Sequence, residues 1–436
     1  MHLNLKRTHY YILCLGMLCG ITAGIVVTLF RWLIQVSLLI IQKIYALSIT
    51  HFKFLFMMLI VNGLMGLVIS RLIHGQSGIK GSGIPQTEAE IFGEKHYPWW
   101  SILWRKFIAG VLTVGSGAFM GHEGPSIQIG GAVGQGVAKL TRQNVRNSRL
   151  LIASGAAAGL TAVFNTPIAS CLFVIETIYH RFSASAWIML LSAAVTADLL
   201  SSSVFGRIPV LYIKKVPALP LHLDLQLLPL GIVIGILGHF YKWITLNSSR
   251  PFVWISNGLH MPSSLKMVFL LLLVIPIGVT YPRLIGSGIN LIHLAGRSSL
   301  PFWLISVYLL SKFILSTIAF GSGLPGGILL PILTLGSLIG AAYGRLLFDY
   351  SWISPNYQIT FIIVAMAGFF ACVIDAPFTA IILITEMVGT LHHLVALALV
   401  VLIACAVDNL FNGRPIYQVL LERLTQSTGN FGKARS

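Results

Sequence analysis

The sequence predicts an all-α polytopic membrane protein whose tilted and broken helices form an inverted internal repeat. Three observations predict it: a composition that cannot cover a water-facing surface, apolar runs interrupted by glycine and proline, and a set of glycine-rich segments that occurs twice. Of 436 residues, 56% are apolar and only 9% are charged. A soluble domain carries about 25% charged residues to wet its exterior, so lipid must be much of this chain's solvent. The charges are lopsided, with 29 Lys and Arg against 12 Asp and Glu, a net of +17. In a soluble chain that surplus would suggest nucleic acid. In a membrane chain it marks cytoplasmic loops under the positive-inside rule, and no nucleic-acid partner is inferred. Cys14, Cys19, Cys171, Cys372 and Cys405 lie in apolar stretches without a CxxC or a Cys/His cluster. They read as small buried hydrophobes, with neither a metal site nor a disulfide.

Along the chain, Lys6 and Arg7 precede an uncharged run of 21 residues, 10–30. A signal peptide has an apolar core of only about 7–15 residues, whereas a membrane span needs about 20. The run is read as a retained first helix entered from the cytoplasmic side. Further uncharged runs follow at 54–70, 183–197, 225–241, 267–281, 313–342, 358–374 and 388–407. Several are short for a crossing and many are broken by Gly or Pro. Irregular backbone at membrane depth is tolerated only where it is buried in protein or lines a cavity, as in transporters built from half-helices.

The repeat is explicit. Residues 115–134, GSGAFMGHEGPSIQIGGAVG, align without a gap with 321–340, GSGLPGGILLPILTLGSLIG, at an offset of 206. Upstream, GSGIP at 81–85 is echoed by GSGIN at 286–290, offset 205. Downstream, Asn165-Thr-Pro with Glu176 is echoed by Asp375-Ala-Pro with Glu386, offset 210. One membrane domain, 1–436, therefore divides into halves at 10–205 and 225–425, with a linker around 207–224 and a short cytoplasmic tail at 426–436. After the first motif, 139–149 holds Lys139, Arg142, Arg146 and Arg149 and no acid; the equivalent 345–355 holds only Arg345, offset by Asp349. Loops so unequal face opposite sides, which makes the repeat inverted and places a site where the halves meet. Both termini are expected in the cytoplasm.

The glycine-rich turns at 81–85, 121–125 and 326–331 each lead into a proline suited to the first turn of a helix. A helix that begins inside the membrane aims unpaired N–H groups and the positive end of its dipole at whatever lies ahead. Several such ends converging on one point form an anion site without a fixed cation.

GSGIP, G(x)EGP and GGI(x)xP, in this order and followed by Tyr417 in GRPIYQVLL, resemble the CLC family of chloride channels and chloride/proton exchangers over about residues 10–425. The resemblance implies a multi-pass homodimer in lipid, of bacterial type and in the inner cell membrane. Each subunit would have one anion pathway, voltage-gated in some members, with chloride as transported ligand and no cofactor. Carried across residue by residue, Ser82 and Tyr417 would contact the central anion and Ile84 would supply an amide to the inner site. Ile328 and Leu329 would present amides, and Glu123 would be the gate. Its carboxylate competes with the anion for the same dipoles, and protonation removes the competitor's charge. Glu88 and Lys106 match a charged pair of the family near the pore.

The pattern also departs from the family. Exchangers carry an acid directly after the glutamate of LF(x)IEE, and here Leu172-Phe-Val-Ile-Glu176 is followed by Thr177. Glu176 and Thr177 thus mark the proton pathway, and a threonine there leaves open a channel or a chloride/proton antiporter. His122 replaces the usual base beside the gate. About 19 residues follow Tyr417, too few for the paired nucleotide-sensing CBS domains of larger members. Two other classes compete. A membrane-embedded enzyme using Glu123 or Glu176 would be expected to show HExxH, GxSxG or a paired His/Asp, and a cation symporter would need carbonyls and acids at the centre. The chain is expected not to be an enzyme.

Overall fold

The computed structural model describes residues 2–213, 216–252, 263–297 and 300–426. Parts of the expected linker (214–215) and of the tail (427–436) lie outside the described residues. The first half comprises α1 (His2–Ser48), α2 (Phe52–Gly75), α3 (Ile84–Phe92), α4 (Trp99–Gly115), α5 (Glu123–Leu140), α6 (Val145–Phe164), α7 (Pro167–Phe173) and α8 (Ala184–Phe205). A π-helical turn, Val174–Tyr179, extends α7. After the short α9 (Leu221–Asp224) come α10 (Leu227–Asn247), α11 (Ser263–Thr280), α12 (Ile289–Arg297), α13 (Phe302–Gly321) and α14 (Leu329–Asp349). Then follow α15 (Gln358–Ile374), α16 (Pro377–Val388), α17 (Leu394–Leu410) and the closing α18 (Ile416–Gln426). Among the described residues seven helices are long and apolar enough to cross a membrane, and others are shorter. The protein is all-α and polytopic. Its second series of helices follows the order and spacing of the first.

Three runs differ from their sequence reading. The first does not stop at residue 30, because Arg31 is itself inside the protein: its guanidinium donates to the Ala162 carbonyl and the Asn165 side chain, both at 2.9 Å. A charge satisfied by buried acceptors does not end a helix. Run 313–342 is two helices, α13 and α14, separated by the glycine-rich segment that reaches the centre. Run 388–407 starts at the end of one helix: Gly389, at φ 80°, closes α16, and α17 begins only at Leu394. Of the cysteines read as buried, Cys19, Cys171 and Cys372 are, whereas Cys14 is exposed. His393 is buried, with Nε2 3.4 Å from the Val216 carbonyl.

Polar contacts repeat along with the helices. Lys242, the counterpart of Arg31, donates to the Cys372 carbonyl at 3.1 Å and pairs with Asp408 at 2.5 Å. In the first half, Arg31 reaches the equivalent Ala162 carbonyl and acts on Asp198 through space. Asn165 and Asp375 end α6 and α15 in the left-handed conformation, at φ 56° and 65°. The two glutamates of the third match exchange partners across the halves. Glu176 accepts from the amides of Phe378 (3.3 Å) and Thr379 (2.8 Å) at the start of α16. Glu386 accepts from those of Ile168 (3.2 Å) and Ala169 (2.8 Å) at the start of α7. Each carboxylate thereby satisfies amides that a helix leaves unpaired in its first turn.

Close helix packing brings these elements together. On α5 and α6, Gly130 and Gly155 face each other so tightly that a Cβ on either would overlap the other's carbonyl. Gly336 on α14 lies in the same way against Met366 of α15. Small residues permit this approach where apolar lipid offers helices no hydrophobic reason to associate. Gly155→Leu is therefore expected to cost at least about 1–3 kcal/mol of stability through overpacking. Gly63→Leu, where nothing lies within 4 Å of the added Cβ, should cost little. Thermal unfolding of the two variants in detergent checks the contrast.

Candidate functional site

The glycine-rich segments of both halves cross at the centre of the molecule. Gly121 and Gly327, equivalent residues of the repeat, form an antiparallel bridge. Its two hydrogen bonds are Gly121 N–H to Gly327 O at 2.9 Å and Gly327 N–H to Gly121 O at 2.7 Å. Backbone meets backbone here, and a Cβ at Gly121 would overlap the Glu123 carboxylate. The outer turns cross in the same manner: Gly81 N–H donates to Gly323 O at 3.2 Å and Gly286 N–H to Gly117 O at 2.8 Å.

Two buried lysines hold these turns. Lys106 donates to the carbonyls of Ile79 (2.8 Å) and Gly81 (2.7 Å). Lys312 donates to those of Leu284 (3.4 Å) and Gly286 (2.6 Å). Both side chains are fully buried. Each ammonium draws the negative ends of the turn's peptide dipoles toward itself, just ahead of the helix that follows, α3 or α12. Gly124 packs onto this arrangement so closely that an added Cβ would lie 2.8 Å from Ser82 O and 3.1 Å from the Gly327 Cα. The three motifs therefore meet at one place.

Glu123, wholly buried, is the first residue of α5, yet its carboxylate engages the other half. Its Oε1 accepts from the amide of Leu330 at 3.0 Å, and the amides of Leu329 and of Glu123 itself face it. Its Oε2 has no hydrogen-bond partner among the described residues. Lys312 acts on it through space. Tyr417, 1% exposed, lies close enough to Glu123 and Tyr241 to interact with both electrostatically. Its hydroxyl makes no hydrogen bond among the described residues. A buried donor without a partner next to exposed helix amides is what a small anion would satisfy.

The residues named from sequence stand as follows. Glu123, Leu329 and Tyr417 converge on the crossing. Ser82 is buried beside Gly124, with its Oγ accepting the Ile84 amide at 3.4 Å, so that amide points back at the turn's own side chain. Ile328 is the residue preceding α14 and is not among the amides that meet the carboxylate, whereas Leu330, unnamed from sequence, is. Lys312 and Tyr241 were also missed. The repeat itself held the signal for Lys312, because the offset of 206 applied to Lys106 lands on it. Lys106 meets backbone carbonyls, and Glu88 meets the imidazole of His180 at 3.1 Å.

Glu176 and Thr177 lie away from the crossing, on a cavity of about 460 Å³ that also reaches Tyr417, Glu88, His180 and Asp375. Glu176 is committed to the start of α16, and the buried Thr177 hydroxyl has no hydrogen-bond partner among the described residues.

Residues 64–409 match the family described as "Voltage gated chloride channel". The chain is 29% identical over 435 residues to the H(+)/Cl(-) exchange transporter ClcA of Citrobacter koseri, covering 97% of this chain and 90% of that one. It is 31% identical over 368 residues to ClcA of Salmonella arizonae, covering 83% and 76%. Among solved structures it resembles that of a slow cyanobacterial Cl-/H+ antiporter, with TM-score 0.88, 27% identity, and coverage of 96% and 99%. A CLC-type fluoride/proton antiporter shares the fold, with TM-score 0.75, 22% identity, and coverage of 92% and 96%.

A small anion and the Glu123 carboxylate would require the same amides. Glu123→Gln removes the competing charge and should tighten anion binding, so added halide should raise the variant's unfolding temperature more than the wild type's. Tyr417→Phe should reduce that gain. Thermal unfolding across a halide titration measures both.

Proposed function

The chain belongs to the voltage-gated chloride channel family, and we propose that it moves chloride across the membrane in exchange for protons, with Glu123 as the gate. The observation that carries this reading is the Glu123 carboxylate lying across the start of α14, held by an amide of the opposite half at 3.0 Å. In that position it blocks the amides an anion needs. On protonation it loses the charge that the helix ends attract, chloride takes its place, and the neutral side chain carries a proton. Occupancy by chloride and by the carboxylate are mutually exclusive, which couples the two ions. The relatives named as exchangers support coupling.

Ser82, Ile84, Ile328, Leu329 and Tyr417 belong to the proposed chloride path, joined by Leu330. Glu176 and Thr177 mark the side from which protons arrive. The repeat is inverted, with halves at 10–205 and 225–425, and the exposed basic residues around Lys139 and Arg146 face the cytoplasm, as do both termini. The protein works as a homodimer in a bacterial inner membrane. One observation favours a second reading, uncoupled chloride conductance: residue 177 has no titratable group.

In liposomes, purified protein is expected to pass chloride and exclude potassium; failure to pass chloride ends the proposal. Chloride flux should rise as pH falls, because protonation releases the gate, and Glu123→Gln should lose this pH dependence and all proton movement while chloride still passes. The reversal potential decides between the readings. A shift with pH at fixed chloride means exchange; a potential that follows chloride alone means conductance.

A further inference from the structure

Titratable groups along the way carry a proton between the cytoplasm and Glu123 efficiently, and residue 177 offers none. The cavity beneath Tyr417 contains a second titratable pair, His180 and Glu88. His180 Nε2 lies 3.1 Å from Glu88 Oε1, with the imidazole side chain 45% exposed and the carboxylate side chain 2% exposed. One partner is wet and the other dry. The geometry is built rather than incidental. His180 ends the π-helical turn in the left-handed conformation, at φ 52°, and its ring stacks on Phe92 at 6.0 Å with an interplanar angle of 17°. Glu88 belongs to α3, one turn beyond Ile84, so the same short helix carries Ser82 ahead of its start and Glu88 on its cavity side.

We propose that His180 and Glu88 form a proton relay between the cytoplasmic solution and the gate, resting on the reading of the protein as an exchanger. A proton taken from water at Nδ1 charges the ring. The proton already on Nε2 then crosses to Glu88 Oε1, leaving a neutral imidazole and a neutral carboxyl. Glu88 releases the proton into the cavity whose wall includes Tyr417, the residue that interacts with Glu123. Exchange of the imidazole proton with water restores the starting tautomer, and the reverse sequence moves a proton outward.

The groups that face the pair fit this role. Glu176 shares the cavity but is held by the amide of Thr379 (2.8 Å) and its hydroxyl (2.6 Å). Asp375, also on the cavity, ends α15. Arg181 lines the wall beside His180, and Arg146 and Arg149 act on the neighbouring Tyr179. Arg149 also donates to the Phe92 carbonyl at 3.5 Å, which ties the cavity to the basic, cytoplasmic loop. Histidine is the side chain that changes charge between about pH 5 and 8, and its exposed ring is the solvent-facing member.

The test compares proton and chloride fluxes, with reversal potentials under a pH gradient, for the wild type, His180→Asn and Glu88→Gln in liposomes. Asparagine tolerates the left-handed backbone, so the first variant keeps the turn; Glu88→Gln carries the test if it does not fold. Removing a positioned acid–base group is expected to lower the proton-to-chloride flux ratio about tenfold or more. In His180→Asn the dependence of proton flux on internal pH should flatten, and Thr177→Glu added to either variant should restore coupling by returning an acid to the same cavity. If both variants couple like the wild type, the relay is overturned while exchange stands. Coupling that is lost and not restored by Thr177→Glu makes the pair a structural brace and also overturns it. A wild type whose potential ignores pH removes exchange and the relay together.

Discussion

Two helix starts, those of α5 and α14, meet at the centre of this protein, and their unpaired amides require negative charge between them. The Gly121–Gly327 bridge brings the two segments into contact, and the Glu123 carboxylate supplies that charge. The equivalent position in the second half is Leu329. Symmetry makes the crossing, and one asymmetric residue puts a carboxylate in it. A glutamate on each side would place two carboxylates on one set of amides, a like-charge pair that resists full ionisation.

The surroundings of this crossing repeat the same kinds of contact in both halves. Lys106 and Lys312 hold the turn carbonyls, Glu176 and Glu386 cap each other's helices, and Arg31 and Lys242 reach equivalent carbonyls on α6 and α15. Buried charges persist only when paired or hydrogen-bonded, and these contacts meet that condition. The contacts of Glu176 and Glu386 also tie the two halves together.

Much of the fold was legible in the sequence because glycine, proline and charge carry their physics locally. The 206-residue offset marked both crossing segments, and Pro85, Pro125 and Pro331 marked helix starts that the structure contains. Charge misled where it was buried. Arg31 looked like the edge of a span and lies inside α1. Apolar runs misled where they were uniform: nothing in 313–342 announces that its middle leaves the helix except the glycines already assigned to the repeat.

By itself, the sequence determined that the chain lives in lipid, that it is made twice over, and that helix starts rather than fixed cations face its centre. These follow from composition, spacing and backbone chemistry, which are properties of short segments. Only the tertiary structure decided which amides meet Glu123, that Glu176 is committed to the opposite half, and that His180 stands beside Glu88 across 92 residues of chain. Such pairings depend on how helices pack in three dimensions, and no local pattern encodes a contact between residues so far apart.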